Sequence, residues 1–258
     1  MIVHQRFLGV VLSVLGVLGG WVAALSAPVD VSQALTYRDT AGFLLRYRLI
    51  PPPDLPAHPG TRYPLVVSLH GAGLDGTDNI RQLECIVPAF LAPEVRAAHP
   101  CFILAPQCPP HSYWISQHGS RYPAAPTLVM RATIALIPTL SRTYAIDPAR
   151  VYVVGYSAGG AGAWDLLIRR PELFAAAVLL SAVGDPKQAK RLRGLPLWIF
   201  HGAKDRMTGV SQARAMVQAL RHAGNNPRYT EYANGGHEVG WTALMEPTLY
   251  PWLFQQHK

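Results

Sequence analysis

The run Val151-Tyr152-Val153-Val154-Gly155-Tyr156-Ser157-Ala158-Gly159-Gly160 decides how this chain is read. Its first four residues, apolar and mostly β-branched, form a short buried strand. A serine between two glycines follows at once, and small residues lead into a helix ending near Arg170. A serine on a tight strand-to-helix turn presents its hydroxyl outward. Glycines at 155 and 159 let neighbouring backbone pass close by. The helix starting near Ala158 aims N–H groups and its positive end at the same place. Ser157 is therefore the candidate nucleophile. The five-residue pattern is weak alone and gains its weight from the strand before it. The bland alternative is a glycine-rich turn that merely starts a helix.

Upstream, Tyr63-Pro64-Leu65-Val66-Val67-Ser68-Leu69 reads as another buried strand, ending at His70-Gly71-Ala72-Gly73. Acyl transfer needs donors aimed where a tetrahedral oxyanion develops. The backbone N–H groups of Ala72 and Ala158 are the natural pair. His70 precedes the serine in the chain, and its ring is read as holding its own loop. Downstream, a strand at 197–200 leads to His201-Gly202-Ala203-Lys204-Asp205. A strand at 229–232 leads to Asn234-Gly235-Gly236-His237. Ser157, Asp205 and His237 thus follow the order nucleophile, acid, base. His237 would take the serine proton, and Asp205 would hold the imidazole in the right tautomer. Asp205 could instead only cap the helix near Val210. Asp185, after a strand at 176–180, is the rival acid. Glu238 reads as a solvated carboxylate.

The remaining chain repeats this alternation. Segments 33–37 and 43–49 form a hairpin around Asp39 and Gly42, and 101–105 is a short strand. Helices are expected at 124–144, with Pro138 as a kink or break, at 210–223, and at 243–254 with Pro251 inside. Buried strands alternating with helices predict an α/β fold: a mostly parallel central sheet with helices on both faces. Its chemistry should gather beyond the carboxyl ends of the strands.

The chain has 258 residues, a length suited to one catalytic domain over 27–258 after a leader at 1–26. Arg6, an apolar stretch over 7–25 and small residues at Ser26 and Ala27 describe a signal peptide for secretion or export to a periplasm. Cleavage after Ser26 places Ala24 at −3. Cleavage after Ala27 places Leu25 there, a poorer fit. A retained membrane anchor and a buried helix are the alternatives, since ~17–25 apolar residues suffice to span a bilayer.

Only 15% of residues are charged, yet the formal net charge is +8. The basic residues are scattered, with Arg169-Arg170 and 187–193 the densest places. Neither a basic stripe nor a reading element for nucleic acid is present. Cys85, Cys101 and Cys108 allow one disulfide in an oxidising compartment, and otherwise read as small buried apolar side chains. They lack C-x-x-C spacing, and the ten His show no H-E-x-x-H pattern. No phosphate-loop or dinucleotide signature occurs. No metal and no cofactor is expected.

At these residues the sequence resembles an α/β-hydrolase. More narrowly, it resembles secreted serine esterases of the polyhydroxybutyrate-depolymerase-like, feruloyl-esterase-like and "predicted peptidase" group. The similarity is carried by Leu69-His70-Gly71-Ala72-Gly73 with Asp78-Asn79, and by Ala105-Pro106-Gln107-Cys108-Pro109 followed by Trp114. It continues through Ile146-Asp147-Pro148-Ala149-Arg150, Arg170-Pro171-Glu172-Leu173-Phe174, His201 to Asp205, and Gly236-His237 followed by Trp241. The resemblance implies a serine carboxylesterase acting through an acyl-enzyme. It covers roughly residues 40 to 255. Two places depart from the group: Ala158 stands where Met or Gln is commoner, and Met207-Thr208-Gly209 replaces a valine- and proline-rich turn after the acid.

Residues 182–196 leave no room for a lid domain between two strands. An open cleft suits small or polymer-attached esters: short acyl, acetyl or hydroxycinnamoyl esters, or polyester. Tyr156, Trp114 and Trp241 are candidate substrate-binding walls, because aromatic faces stack on sugar or phenolic rings. Local core packing is their alternative reading, and Trp164 reads as core. A serine peptidase of the same fold and a non-catalytic binding protein are the other functional readings. A monomer without an obligate protein partner is expected.

Overall fold

Seven consecutive buried residues in β3 (Tyr63–Leu69) mark a strand covered on both faces. Side chains alternate across a strand, so such a run feeds two cores at once. In the computed structural model, which describes residues 28–55, 60–116 and 122–258, it does so. Leu65, Val67 and Leu69 join one apolar cluster, and Val66 joins the other. The expected leader over 1–26 lies outside the described residues.

The strands are β1 (Gln33–Arg38), β2 (Leu44–Ile50), β3, β4 (Phe102–Gln107), β5 (Ile146–Tyr156), β6 (Ala176–Leu180), β7 (Leu197–Gly202) and β8 (Arg228–Tyr232). They form one sheet in the order β1-β2-β4-β3-β5-β6-β7-β8. The β1–β2 and β2–β4 pairs are antiparallel, and every other pair is parallel. The helices are α1 (Val87–Phe90), α2 (Pro93–Ala98), α3 (Leu128–Thr143), α4 (Ala158–Arg169), α5 (Val210–His222), α6 (Val239–Leu244) and α7 (Leu249–Phe254). On one face α3, α4 and α5 pack through Leu136, Leu166 and Met216. On the other, α1, α6 and α7 pack through Phe90, Leu244 and Leu253. Each such side chain contributes about 1.5–3 kcal/mol when fully buried. This is the expected α/β architecture.

Two helices differ from the sequence expectation. The segment at 124–144 begins later, at Leu128, where the Thr127 hydroxyl accepts the Met130 N–H, and it runs through Pro138 without a break. The last helix is two short ones, α6 and α7. Pro247 between them has no N–H to continue a helical ladder, and the Thr248 hydroxyl donates to the Glu246 carboxylate instead. Short α1 and α2 were not foreseen, because their four and six residues are too few to show a period. Between β6 and β7 the chain holds only a 3-10 turn, Pro186–Leu192, and no lid. The three cysteines are free and buried, and burial pushes each thiol up to about 12. Among the described residues, no helix is long and apolar enough to cross a membrane.

Candidate active site

Ser157 sits where β5 turns into α4, with φ 53° and ψ −117°. A positive φ at a non-glycine residue costs on the order of 1–3 kcal/mol, so the surroundings must hold it. They do. The Ser157 N–H donates to the Leu180 carbonyl at 2.9 Å, and the Ser157 carbonyl accepts from Ala161 N–H at 2.9 Å. The flanking glycines are required sterically. A Cβ on Gly159 would stand 2.0 Å from the Leu69 carbonyl oxygen, and one on Gly155 would stand 2.4 Å from that of Gly159. The elbow is thus clamped against the end of β3.

His237 lies in the loop after β8, and Asp205 in the loop after β7. These loops are zipped together by Ala203 N–H to the Tyr232 carbonyl and Lys204 N–H to the Gly235 carbonyl, both 2.9 Å. His237 Nε2 is 2.7 Å from Ser157 Oγ, and His237 Nδ1 is 2.8 Å from Asp205 Oδ2. With the proton on Nδ1, the ring donates to the carboxylate and accepts from the serine hydroxyl. That is the arrangement of a base waiting for a proton.

Asp205 is buried, which by itself would raise its pKa. The Thr208 hydroxyl and N–H, the His237 ring and the Met207 N–H all donate to it and outweigh burial, bringing the carboxyl down to about 2. It is an anion across the physiological range. Asp185 accepts the Lys187 N–H at the start of the 3-10 turn and contacts neither Ser157 nor His237. Glu238 is exposed and accepts the Gly236 N–H, which lowers its carboxyl. Among the described residues, no group of His, Cys, Asp or Glu is arranged to hold a metal ion.

The His70 loop builds the other side. His70 is 1% exposed, and both its ring nitrogens are engaged: Nδ1 donates to the Gly71 carbonyl at 2.8 Å, and Nε2 accepts the Cys108 N–H at 3.0 Å. Ala72 and Ala158 line a cavity of about 260 Å³ together with Tyr113, Trp114, Ile115 and Ala161. Ala158 is the first residue of α4, so its N–H has no partner inside the helix.

The three aromatic residues expected as walls fare differently. Trp114 touches the cavity but is 3% exposed, with its indole N–H donated to the His70 carbonyl at 3.0 Å. It both lines the cavity and braces the loop. Tyr156 donates its hydroxyl to the His237 carbonyl at 3.2 Å, and its ring lies tilted against His237 and Trp241. Trp241 is exposed beside this group and is not among the residues lining the cavity. Trp164 is core. Ser181 and Thr208 carry contacts that the sequence does not assign. Ser181 donates its hydroxyl to the His237 carbonyl at 2.8 Å, and Thr208 contacts both Asp205 and His237. The signal available for Ser181 is its position just beyond β6, and for Thr208 its place in the departing turn after Asp205.

A thermostable esterase of known structure superposes with a TM-score of 0.82 at 36% identity, over 90% of this chain and 64% of that one. The chain therefore spans less than two-thirds of that relative's length. A ferulic acid esterase matches with a TM-score of 0.64 at 16% identity, over 87% of this chain and 98% of that one. A puromycin hydrolase matches with 0.64 at 18%, over 86% and 39%. At such identities these two likenesses concern the fold alone. No curated protein sequence matches the chain. Residues 48–250 match the family described as "Putative esterase", a span that takes in the elbow, the acid and the base alike. The chain belongs to that esterase family.

Proposed function

We propose that this chain is a serine carboxylesterase that works through an acyl-enzyme. The observation that carries the reading is the unbroken line from Ser157 Oγ through His237 to an anionic Asp205, opening beside a cavity at the start of α4. Ser157 Oγ attacks the ester carbonyl carbon while His237 Nε2 takes its proton. The resulting oxyanion is met by the N–H groups of Ala72 and Ala158, where such donors are worth most. His237 then returns the proton to the departing alcohol. Water, activated by the same imidazole, releases the acid and restores the serine.

The cavity lined by Ala72, Trp114 and Ala158 would take the acyl side, a short acyl or hydroxycinnamoyl group, with the alcohol side left open for a polymer. The absence of an inserted segment over 182–196 supports an accessible site, as in the secreted polyhydroxybutyrate-depolymerase-like and feruloyl-esterase-like group that the motifs resemble. Residues 1–26 are read as the export signal and 27–258 as the catalytic domain. N-terminal sequencing of the secreted protein should begin near Ala27 or Pro28.

The test is a burst of nitrophenol from p-nitrophenyl acetate that disappears in Ser157→Ala. A panel of methyl ferulate, acetylxylan, polyester film and peptide anilides then sorts the substrate class. Turnover of the anilides alone would move the reading to a peptidase. No turnover of any of them, with Ser157 inert to a fluorophosphonate, would make the chain a binding protein.

A further inference from the structure

Thr208 occupies the turn after the acid, where the sequence departs from the group it resembles. Its N–H donates to Asp205 Oδ1 at 2.9 Å, and its Oγ1 stands 2.6 Å from Asp205 Oδ2. The same Oγ1 lies 3.3 Å from His237 Nδ1 and 3.1 Å from the Ser181 carbonyl oxygen. A hydroxyl has one proton to give. The charged oxygen at 2.6 Å outcompetes the neutral carbonyl at 3.1 Å, since hydrogen bonds to ions are roughly twice as strong. Once that proton is spent, a lone pair of Oγ1 remains for the His237 Nδ1–H. That proton is then shared between Asp205 Oδ2 and Thr208 Oγ1.

The backbone of Thr208 acts on a second competitor. His201 is fully buried, and its Nε2 lies 3.4 Å from Asp205 Oδ2. The Thr208 carbonyl accepts that Nε2–H at 2.7 Å, which keeps it from drawing the carboxylate away from His237. One residue therefore fixes both oxygens of the acid, offers the base a second acceptor and occupies the neighbouring imidazole.

We propose that Thr208 is a positioning residue of the hydrolytic machinery: its hydroxyl holds the Asp205 carboxylate and the His237 ring in register for proton transfer from Ser157. The proposal rests on the esterase reading above.

The experiment compares the full chain with Thr208→Val, Thr208→Ala and Thr208→Ser. It measures steady-state hydrolysis of p-nitrophenyl acetate and the rate at which a fluorophosphonate labels Ser157. Thr208→Val should lose about 10- to 100-fold in kcat and in labelling rate, the size expected for one hydrogen bond to a charged group. KM should stay within about twofold, because the hydroxyl acts on the acid and base rather than on bound substrate. Thr208→Ser keeps the hydroxyl and should return to within about threefold of the parent, which a purely packing role would not produce. Thr208→Val labelled and turning over as fast as the parent overturns the proposal while the triad stands. Should the valine variant fail to fold, equal rates in Thr208→Ala and Thr208→Ser overturn it in the same way. A parent chain whose Ser157 resists the reagent overturns the esterase reading, and the role of Thr208 with it.

Discussion

His70 and His237 both stand just beyond a strand end, one on each side of the Ser157 elbow, and their surroundings give them opposite chemistry. His70 has both nitrogens committed to backbone, a Trp114 ring edge-on at 5.1 Å, and almost no contact with solvent. Burial lowers its pKa and keeps it neutral. His237 is partly exposed, with a carboxylate at Nδ1 and a hydroxyl at Nε2. Proximity to a serine does not make a base. A free lone pair aimed at the hydroxyl, with an anion behind the ring, does.

The largest expected effect separates the two rings directly. His237→Gln should lower kcat on p-nitrophenyl acetate by about 10⁴-fold or more, with melting temperature little changed. His70→Gln should retain most turnover per folded molecule. It should lose about 1–3 kcal/mol of stability in denaturant titration, because the Cys108 N–H and Gly71 carbonyl are left without the ring.

The acid side gives the next effect. Asp205→Asn removes the anion behind His237 and should cost about 10²–10⁴-fold in kcat. Asp185→Asn only weakens the cap of a 3-10 turn and should stay within about twofold. A nearly dead Asp185→Asn beside a normal Asp205→Asn would reverse the assignment.

On the His70 side, Ala72→Pro deletes a backbone N–H without touching a side-chain function. It should lower kcat by about 10²-fold, while Ala72→Ser, which keeps the N–H, should not. Equal kcat in the two variants, with the fold retained by circular dichroism, would move the donor to another residue of the loop.

The smallest effect concerns stability against pH. The folded pKa of His70 lies below its ordinary value of 6.5, so the unfolded chain binds that proton more readily. Its contribution to stability is present above pH 6.5 and is lost as pH falls through the window below it. Asp205 acts the same way lower down, losing its contribution as pH falls from 3.8 toward about 2. Melting curves should therefore show a first decline below pH 6.5 that is shallower in His70→Gln, and a later one that is shallower in Asp205→Asn.

Much of this site was legible because it depends on local pattern. A buried apolar run that stops at Gly155-Tyr156-Ser157-Ala158-Gly159 announces an elbow, and the order of Asp205 and His237 after later strands follows from the sheet. Trp114 lines the cavity and Tyr156 lies tilted against His237, and each also ties its polar tip to backbone, which no sequence pattern announces. An aromatic near a strand end has a face for substrate and a polar tip for backbone. The indole N–H found the His70 carbonyl, and the phenol found the His237 carbonyl. Ser181 gave no pattern, since its partner His237 lies 56 residues away; the turn holding Thr208 stood out as a departure, but its reach to His237, 29 residues on, was not legible.

Local sequence pattern determined the sheet, its two covered faces, the candidate nucleophile in Gly155-Tyr156-Ser157-Ala158-Gly159 and the order of acid and base after it. These follow from side-chain alternation, glycine at points of close approach, and the order of strands. Tertiary structure alone decided which carboxylate stands behind His237, which histidine is free to act, and which neighbours hold them. Each of those outcomes turns on whether a single lone pair or proton is already spent on backbone, and that is settled only when segments distant in the chain are brought within 3 Å.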